Sequence, residues 1–117
     1  MHQTIKKADQ WPITSSLLEE EPELFDLVAQ FVTRLPEQLA GIGRALNEQN
    51  WPALKQEIHD LKGLGGNFGF PIISQIAKQI EDKLTQQLYD SIAPLLEELH
   101  STCQRITLGD GVQGTPE

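Results

Sequence analysis

The stretch WPALKQEIHDLKGLGGNFG, residues 51–69, decides the fold. Asn50 precedes it as a helix N-cap and Pro52 suits a first turn, so we predict a helix that begins at about Trp51. Apolar residues then recur every three or four positions, which indicates one buried face. This face carries Trp51, Leu54, Ile58 and Leu61. We expect the glycine-rich segment 63–69 to fray and end the helix.

The same apolar spacing predicts three further helices around this one. A long helix runs from about Pro22 to about Glu48, and Pro36 within it should produce a kink or a tightened turn. Two others run from about Pro71 to Leu84 and from about Asp90 to Thr107. The inward side chains predicted for the long helix are Leu24, Leu27, Val28, Phe31, Val32, Leu35, Leu39, Ile42 and Leu46.

Four amphipathic helices with short connections bury their apolar stripes most readily as an antiparallel bundle. We therefore predict an all-α fold, an antiparallel four-helix bundle preceded by a short extra helix near residues 15–20. The bundle should span residues 14–108. Residues 1–13 and 109–117 have the polar, Gly-containing composition of tails.

Charge and hydropathy exclude several functions. Nine Lys and Arg against seventeen Asp and Glu give a net charge of -8, which disfavours nucleic acid as a ligand. No run approaches the roughly 20 apolar residues that span a bilayer, so we expect no direct membrane contact. The N-terminus lacks the apolar segment of a signal peptide. The single cysteine, Cys103, is predicted to be a small buried hydrophobic residue. We expect a cytoplasmic, reducing location.

His59 is the candidate functional residue. At about 100° per residue it lies well off the apolar stripe and faces outward. Its neighbours on the same surface are Lys55, Lys62, Gly63 and Gly66. Each glycine within a helix costs on the order of 1 kcal/mol relative to alanine, which suggests that a partner must approach the imidazole closely. A neutral imidazole is a nucleophile near neutral pH, and the lysines would attract a phosphoryl group.

The same residues also permit a plainer interpretation, in which His59 is an ordinary exposed histidine and the glycines only end the helix. The chemistry of these residues alone does not decide between the two interpretations of His59. A metal site is disfavoured because no H-E-x-x-H or Cys/His cluster exists, and the glycines follow a helix rather than the strand that a nucleotide-binding loop requires. We therefore expect no cofactor and no metal.

The motif His59-Asp60-Leu61-Lys62-Gly63, continued by Gly66 and Gly69, resembles the histidine-containing phosphotransfer (HPt) domain. The resemblance covers roughly residues 17–107. It implies a helical bundle that displays a phosphorylated histidine, with Nε2 of His59 as the acceptor. It also implies that Lys62 helps to neutralise the phosphate and that Gly63 leaves room for the partner. Glu81, twenty-two residues after His59, matches a polar residue that often hydrogen-bonds the imidazole in this family.

The resemblance further implies a phosphorelay carrier, which takes the phosphoryl group from one receiver-domain aspartate and gives it to another. The receivers are the expected partners, either separate or within a hybrid sensor kinase, and the carrier is expected to be a monomer. The chain has no kinase signature or phosphate-binding loop, so we expect no enzyme activity of its own and a metal supplied by the receiver. Two alternatives stay open: a helical interaction module without covalent chemistry, and the phosphoacceptor domain of a chemotaxis-type kinase.

Phe68 departs from this simple picture. It lies in the glycine segment, where it either closes the core or contributes to the partner surface. The sequence alone leaves both roles open.

Overall fold

A computed structural model describes residues 12–108. Five α-helices follow one another through this part of the chain, and two 3-10 turns, Pro22–Leu24 and Tyr89–Ser91, lead into the second and the fifth. The helices are α1 (Ser16–Glu20), α2 (Phe25–Asn47), α3 (Trp51–Asn67), α4 (Pro71–Thr85) and α5 (Ile92–Gln104). The fold is therefore the predicted all-α bundle, with α1 as the short extra helix.

The four long helices enclose a single apolar core. Consecutive helices joined by short connections pack side by side, most extensively α3 against α4, and then α4 against α5 and α2 against α3. Val28 of α2, Ile58 of α3 and Ile80 of α4 are fully buried. Other fully buried side chains are Leu54, Leu61, Phe70, Ile73, Ile92 and Leu99. No helix between residues 12 and 108 is long and apolar enough to cross a membrane.

Helices α2, α3 and α4, each of which is followed by another helix, end with the same hydrogen-bond pattern. The residue after each C-cap has a positive φ, and these residues are Gln49 (53°), Gly69 (87°) and Gln87 (60°). Beyond them, the N–H groups of Asn50, Phe70 and Leu88 reach back to carbonyls at 2.8–2.9 Å. This pattern is a Schellman motif, which satisfies carbonyls that the helix end would leave unpaired.

The segment before α2 is fastened to the ends of two other helices. Ser15 caps α1, accepting from Leu17 N at 3.1 Å, and donates its hydroxyl to the Phe68 carbonyl at 2.6 Å. Ile13 N donates to Arg105 O at 2.8 Å and Thr107 N donates to Ile13 O at 2.9 Å, which places Ile13 beside Ile106 in a parallel β-bridge. Ile13 thus takes part in this network, although the composition of residues 1–13 suggested a tail. Apart from Pro12, the rest of the two predicted tails lies outside the described residues.

Two local expectations change. The glycine segment was expected to fray and end α3; the helix does end within it, at Asn67, but it stays helical through Gly63, Gly65 and Gly66. Gly65 and Gly66 pack closely on α4 there. Leu27 was placed on the inward face of α2, yet it is 49% exposed because it lies at the edge of the apolar stripe. Helix α2 continues past Pro36 to Asn47, in agreement with the apolar spacing of the sequence.

Candidate functional site

His59 projects from the middle of α3, away from the core. Ile58 and Leu61 on the same helix are fully buried, whereas 59% of the His59 side chain is exposed. The sequence prediction that this histidine faces outward is confirmed. Asn50 fixes where α3 begins, since its side chain accepts a hydrogen bond from Ala53 N at 3.2 Å.

Glu81 of α4 joins His59 to Lys62. Its Oε2 lies 2.9 Å from His59 Nδ1, and its Oε1 accepts a hydrogen bond from Lys62 Nζ at 2.6 Å. The glutamate is largely covered, with 16% of its side chain exposed, while Lys62 is 31% exposed. Three residues from two helices therefore form one connected group, with the carboxylate beneath the imidazole and the ammonium beside it.

The charge on Glu81 determines how the imidazole is oriented. Hydrogen bonds from Lys62, and then from His59, hold the pKa of the Glu81 carboxyl below its ordinary value of 4.5. The ionised carboxylate can only accept, so Nδ1 of His59 carries the proton in this contact. Nε2 of the neutral ring is then left with its lone pair, which is the form that a nucleophilic nitrogen requires.

The remaining predicted site residues occupy different surroundings. A Cβ at Gly63 would meet no atom within 4 Å, so the surface one turn after His59 is open. A Cβ at Gly66 would instead lie 3.2 Å from Ser74 Oγ on α4. Lys55 is exposed one turn before His59 and forms no ion pair within the described part of the chain. Gly63 alone thus matches the expectation of bare backbone beside the histidine.

The comparison with protein families assigns the chain to a family. The family model of the Hpt domain matches residues 26–107, which include all four long helices except the first residue of α2. The chain belongs to the Hpt domain family. Hpt domains act in histidine phosphotransfer within two-component phosphorelays, as carriers rather than kinases, and interact with receiver domains. No curated protein and no solved structure matches this chain.

A groove between α2 and α3 lies along the helix that carries the histidine of this Hpt domain. Leu64 and Phe68 line it from α3, and Leu27 and Phe31 line it from α2. Phe68 packs on the core side of this groove, where its ring stacks on Phe31 with centroids 5.3 Å apart, and the rest of the side chain is partly exposed in the groove. Arg34 and Arg44 lie along the same groove.

The other histidine and the cysteine within residues 12–108 lie on α5, apart from this group. His100 is exposed on α5, where Gln104 Nε2 donates to its Nε2 at 3.1 Å. Cys103 is buried, and burial raises the pKa of its thiol to about 12, so it behaves as the small hydrophobe that its position predicted. His2 lies outside the described residues. No group of three potential ligands suited to a metal ion occurs among residues 12–108.

Sequence reasoning missed Ser74. Its hydroxyl donates to the main-chain carbonyl of Lys62 at 2.5 Å, directly beneath the histidine site. A single serine on a helix has no pattern that singles it out. Only its facing residue, Gly66, offered a signal, and that glycine was interpreted as room for a partner.

Proposed function

We propose that this Hpt domain is a phosphorelay carrier in which Nε2 of His59 receives a phosphoryl group from the aspartyl phosphate of one receiver domain and passes it to the aspartate of another. A receiver within a hybrid sensor kinase is one source of that group. The observation that carries the proposal is the bond from His59 Nδ1 to Glu81, which leaves Nε2 unprotonated on an open surface. The family assignment supports the same chemistry.

Bond making and breaking balance without a separate base. Nε2 attacks phosphorus, the N–P bond forms, and the P–O bond to the donor aspartate breaks, so that the donor leaves as a carboxylate. The proton stays on Nδ1 throughout. The phosphorylated ring then carries positive charge beside the Glu81 carboxylate, and it departs as neutral imidazole when the next aspartate attacks phosphorus. The same hydrogen bond thus serves acceptance and delivery.

Lys62 supplies the nearest cation. In the unphosphorylated chain its ammonium is held by Glu81, and 31% of the side chain faces solvent. An ammonium has three donors, so Lys62 has donors left over for an arriving phosphoryl oxygen. Lys55 adds an unpaired positive charge one turn away. Positive charge on this surface also favours approach of a phosphorylated partner to a chain whose net charge is -8.

The groove between α2 and α3 is the proposed docking surface for the receiver. Leu64, which lines it, follows Gly63 directly in α3, and Gly63 has no side chain to hold a partner away from His59. Leu27, at 49% exposure, is one of two large exposed hydrophobic residues among the described ones. Apolar side chains flanked by arginine are typical of protein interfaces. Receiver domains are the partners with which this family interacts.

The test is phosphoryl transfer from purified phosphorylated receivers, read by intact mass and by acid lability. Wild type should gain one acid-labile, base-stable phosphoryl group, and His59→Gln should gain none while keeping its helical circular dichroism. His100→Gln is the matched control, since it removes another exposed helical histidine and should still be labelled. A folded wild type that no competent receiver labels would instead favour a non-covalent interaction module. Labelling only by a kinase domain with ATP would favour a chemotaxis-type phosphoacceptor.

A further inference from the structure

A hydrogen bond between α4 and the backbone of α3 lies under the histidine site. Ser74 Oγ donates to the main-chain oxygen of Lys62 at 2.5 Å. Within an α-helix that oxygen also accepts the N–H of the residue four positions later, which is Gly66. Ser74 therefore uses the second lone pair of a carbonyl that is already in the helical ladder, and it links the two helices at the residue whose side chain binds Glu81.

Two adjacent glycines make this close approach possible. A Cβ at Gly66 would lie 3.2 Å from Ser74 Oγ, so the serine hydroxyl sits directly against bare backbone. A Cβ at Gly65 would lie 2.8 Å from Ile73 Cγ2, closer than packed carbon atoms come. Consecutive residues of α4 thus fit onto consecutive glycines of α3, and the fit defines where α4 lies along α3.

The position of α4 in turn determines where Glu81 lies. Ser74 and Glu81 are seven residues apart, which places them on the same face of α4, about 10 Å along its axis. Lys62 is held at both ends by these two residues, its carbonyl by Ser74 and its ammonium by Glu81. The remaining oxygen of Glu81 reaches His59.

We propose that Ser74 is a positioning residue for phosphotransfer. Its bond to the Lys62 carbonyl fixes the register of α4 on α3, and this register places the Glu81 carboxylate at His59 Nδ1. Because a hydrogen bond weakens steeply when its distance and angle deviate, a small shift of α4 loosens the contact that keeps Nε2 free of its proton. This inference rests on the proposed role of His59, but its first readout does not require phosphorylation.

The experiment compares Ser74→Ala with a matched control, Ser101→Ala, which removes an exposed helical serine on α5. The readout is the imidazole nitrogen spectrum of His59 in the unphosphorylated protein at pH 8, which reports which ring nitrogen carries the proton. Wild type and Ser101→Ala should show the proton on Nδ1. Ser74→Ala should move population toward the Nε2–H tautomer, in the direction of Glu81→Ala. An unchanged tautomer in folded Ser74→Ala overturns the proposal.

Transfer kinetics give the second readout. Ser74→Ala should slow phosphoryl acceptance by roughly 3- to 10-fold, the equivalent of about one hydrogen bond. If Ser74 acts through Glu81, the serine substitution should have little further effect on the rate in a Glu81→Ala background. Equal slowing in both backgrounds contradicts the proposal. If wild type accepts no phosphoryl group, the proposed function fails. The tautomer of the His59 imidazole still tests the positioning role of Ser74.

Urea unfolding accompanies both measurements, since a serine with only a structural role would lower stability and leave the tautomer as in wild type. If Ser74→Ala does not fold, Ser74→Cys is measured instead. A thiol fills similar space but donates a hydrogen bond much more weakly than a hydroxyl. A wild-type tautomer in folded Ser74→Cys, together with a normal transfer rate, also overturns the proposal.

Discussion

The two sides of α3 differ in how closely the neighbouring helix approaches. On the side of α4, Gly65 and Gly66 allow close contact, and polar bonds from Ser74 and Glu81 cross between the helices. On the side of α2, the helices leave a groove into which Leu64 projects and beside which Leu27 is half exposed. In the proposed function, the close side orients the imidazole that reacts, and the open side provides apolar surface for the receiver. One helix would then carry the chemistry on one side and partner recognition on the other.

Two glycines only two positions apart show the same contrast. A Cβ at Gly63 would meet no atom within 4 Å, whereas one at Gly65 would press on Ile73 at 2.8 Å. The sequence motif presents both as small residues near a histidine. Their surroundings differ because successive residues of a helix point in different directions.

The largest expected effect tests the open side. Gly63→Leu should reduce transfer from a phosphorylated receiver by about 100-fold or more, because a displacement of about 1 Å between reacting groups is enough for that loss. Labelling by acetyl phosphate, if the wild type accepts it, should change far less. The control is Gly43→Leu on α2, where a Cβ also meets no atom within 4 Å. Equal loss with both donors would show that Gly63 serves the chemistry rather than docking.

The second prediction tests the close side. Gly65→Ala should lower the free energy of unfolding by about 1–2 kcal/mol, since overpacking against Ile73 outweighs the better helix propensity of alanine. Gly63→Ala should raise it by about 0.5–1 kcal/mol, because no neighbour opposes the new methyl group. Urea unfolding of the two variants measures both. Stabilisation of similar size in each would remove the distinction between the two sides.

A smaller effect is expected at Lys62, on the close side. Lys62→Ala should slow transfer up to about fivefold without abolishing it, because water and salt screen a partly exposed charge. Single-turnover transfer at low and high salt provides the measurement, with the difference shrinking at high salt. Lys78→Ala on α4 is the control and should leave the rate unchanged. Complete loss in Lys62→Ala would mean that the lysine has a role beyond its charge.

The smallest effect concerns the contribution of Glu81 to the stability of the fold at acidic pH. Its pKa is lowered in the folded state, so its ionised form stabilises the fold above the ordinary value of 4.5, and this contribution is lost as pH falls through the lowered pKa. The difference in unfolding free energy between wild type and Glu81→Gln should therefore be present above about pH 4.5 and shrink as the pH falls below it. A difference that persists unchanged at pH 3 would contradict this role of the ionised carboxylate.

The sequence predicted the bundle and the outward direction of His59 because both depend on apolar spacing within single helices. It misplaced Leu27, because a residue at the margin of a stripe is buried only if the neighbouring helix reaches it. The positive φ at Gln49 and Gln87 also carried no signal, since glutamine is ordinary within helices. Glu81 came from the family resemblance, but its link to Lys62 and the role of Ser74 depend on the register between two helices, which spacing along one chain does not define.

Gly69 differs from Gln49 and Gln87, which share its backbone conformation, because a Cβ at Gly69 would meet Leu17 N at 2.5 Å. The hydrogen bond from Ser15 to the Phe68 carbonyl, and those that Ile13 makes with Arg105 and Thr107, join residues far apart in the chain; Ser15 and Phe68 are separated by 53 positions. Because closing such long loops is slow, we expect these bonds to form after the helices have assembled. Weakening these bonds should therefore leave the folding rate nearly unchanged and speed unfolding. Residues 13–15 would then determine how long the folded carrier persists before it unfolds.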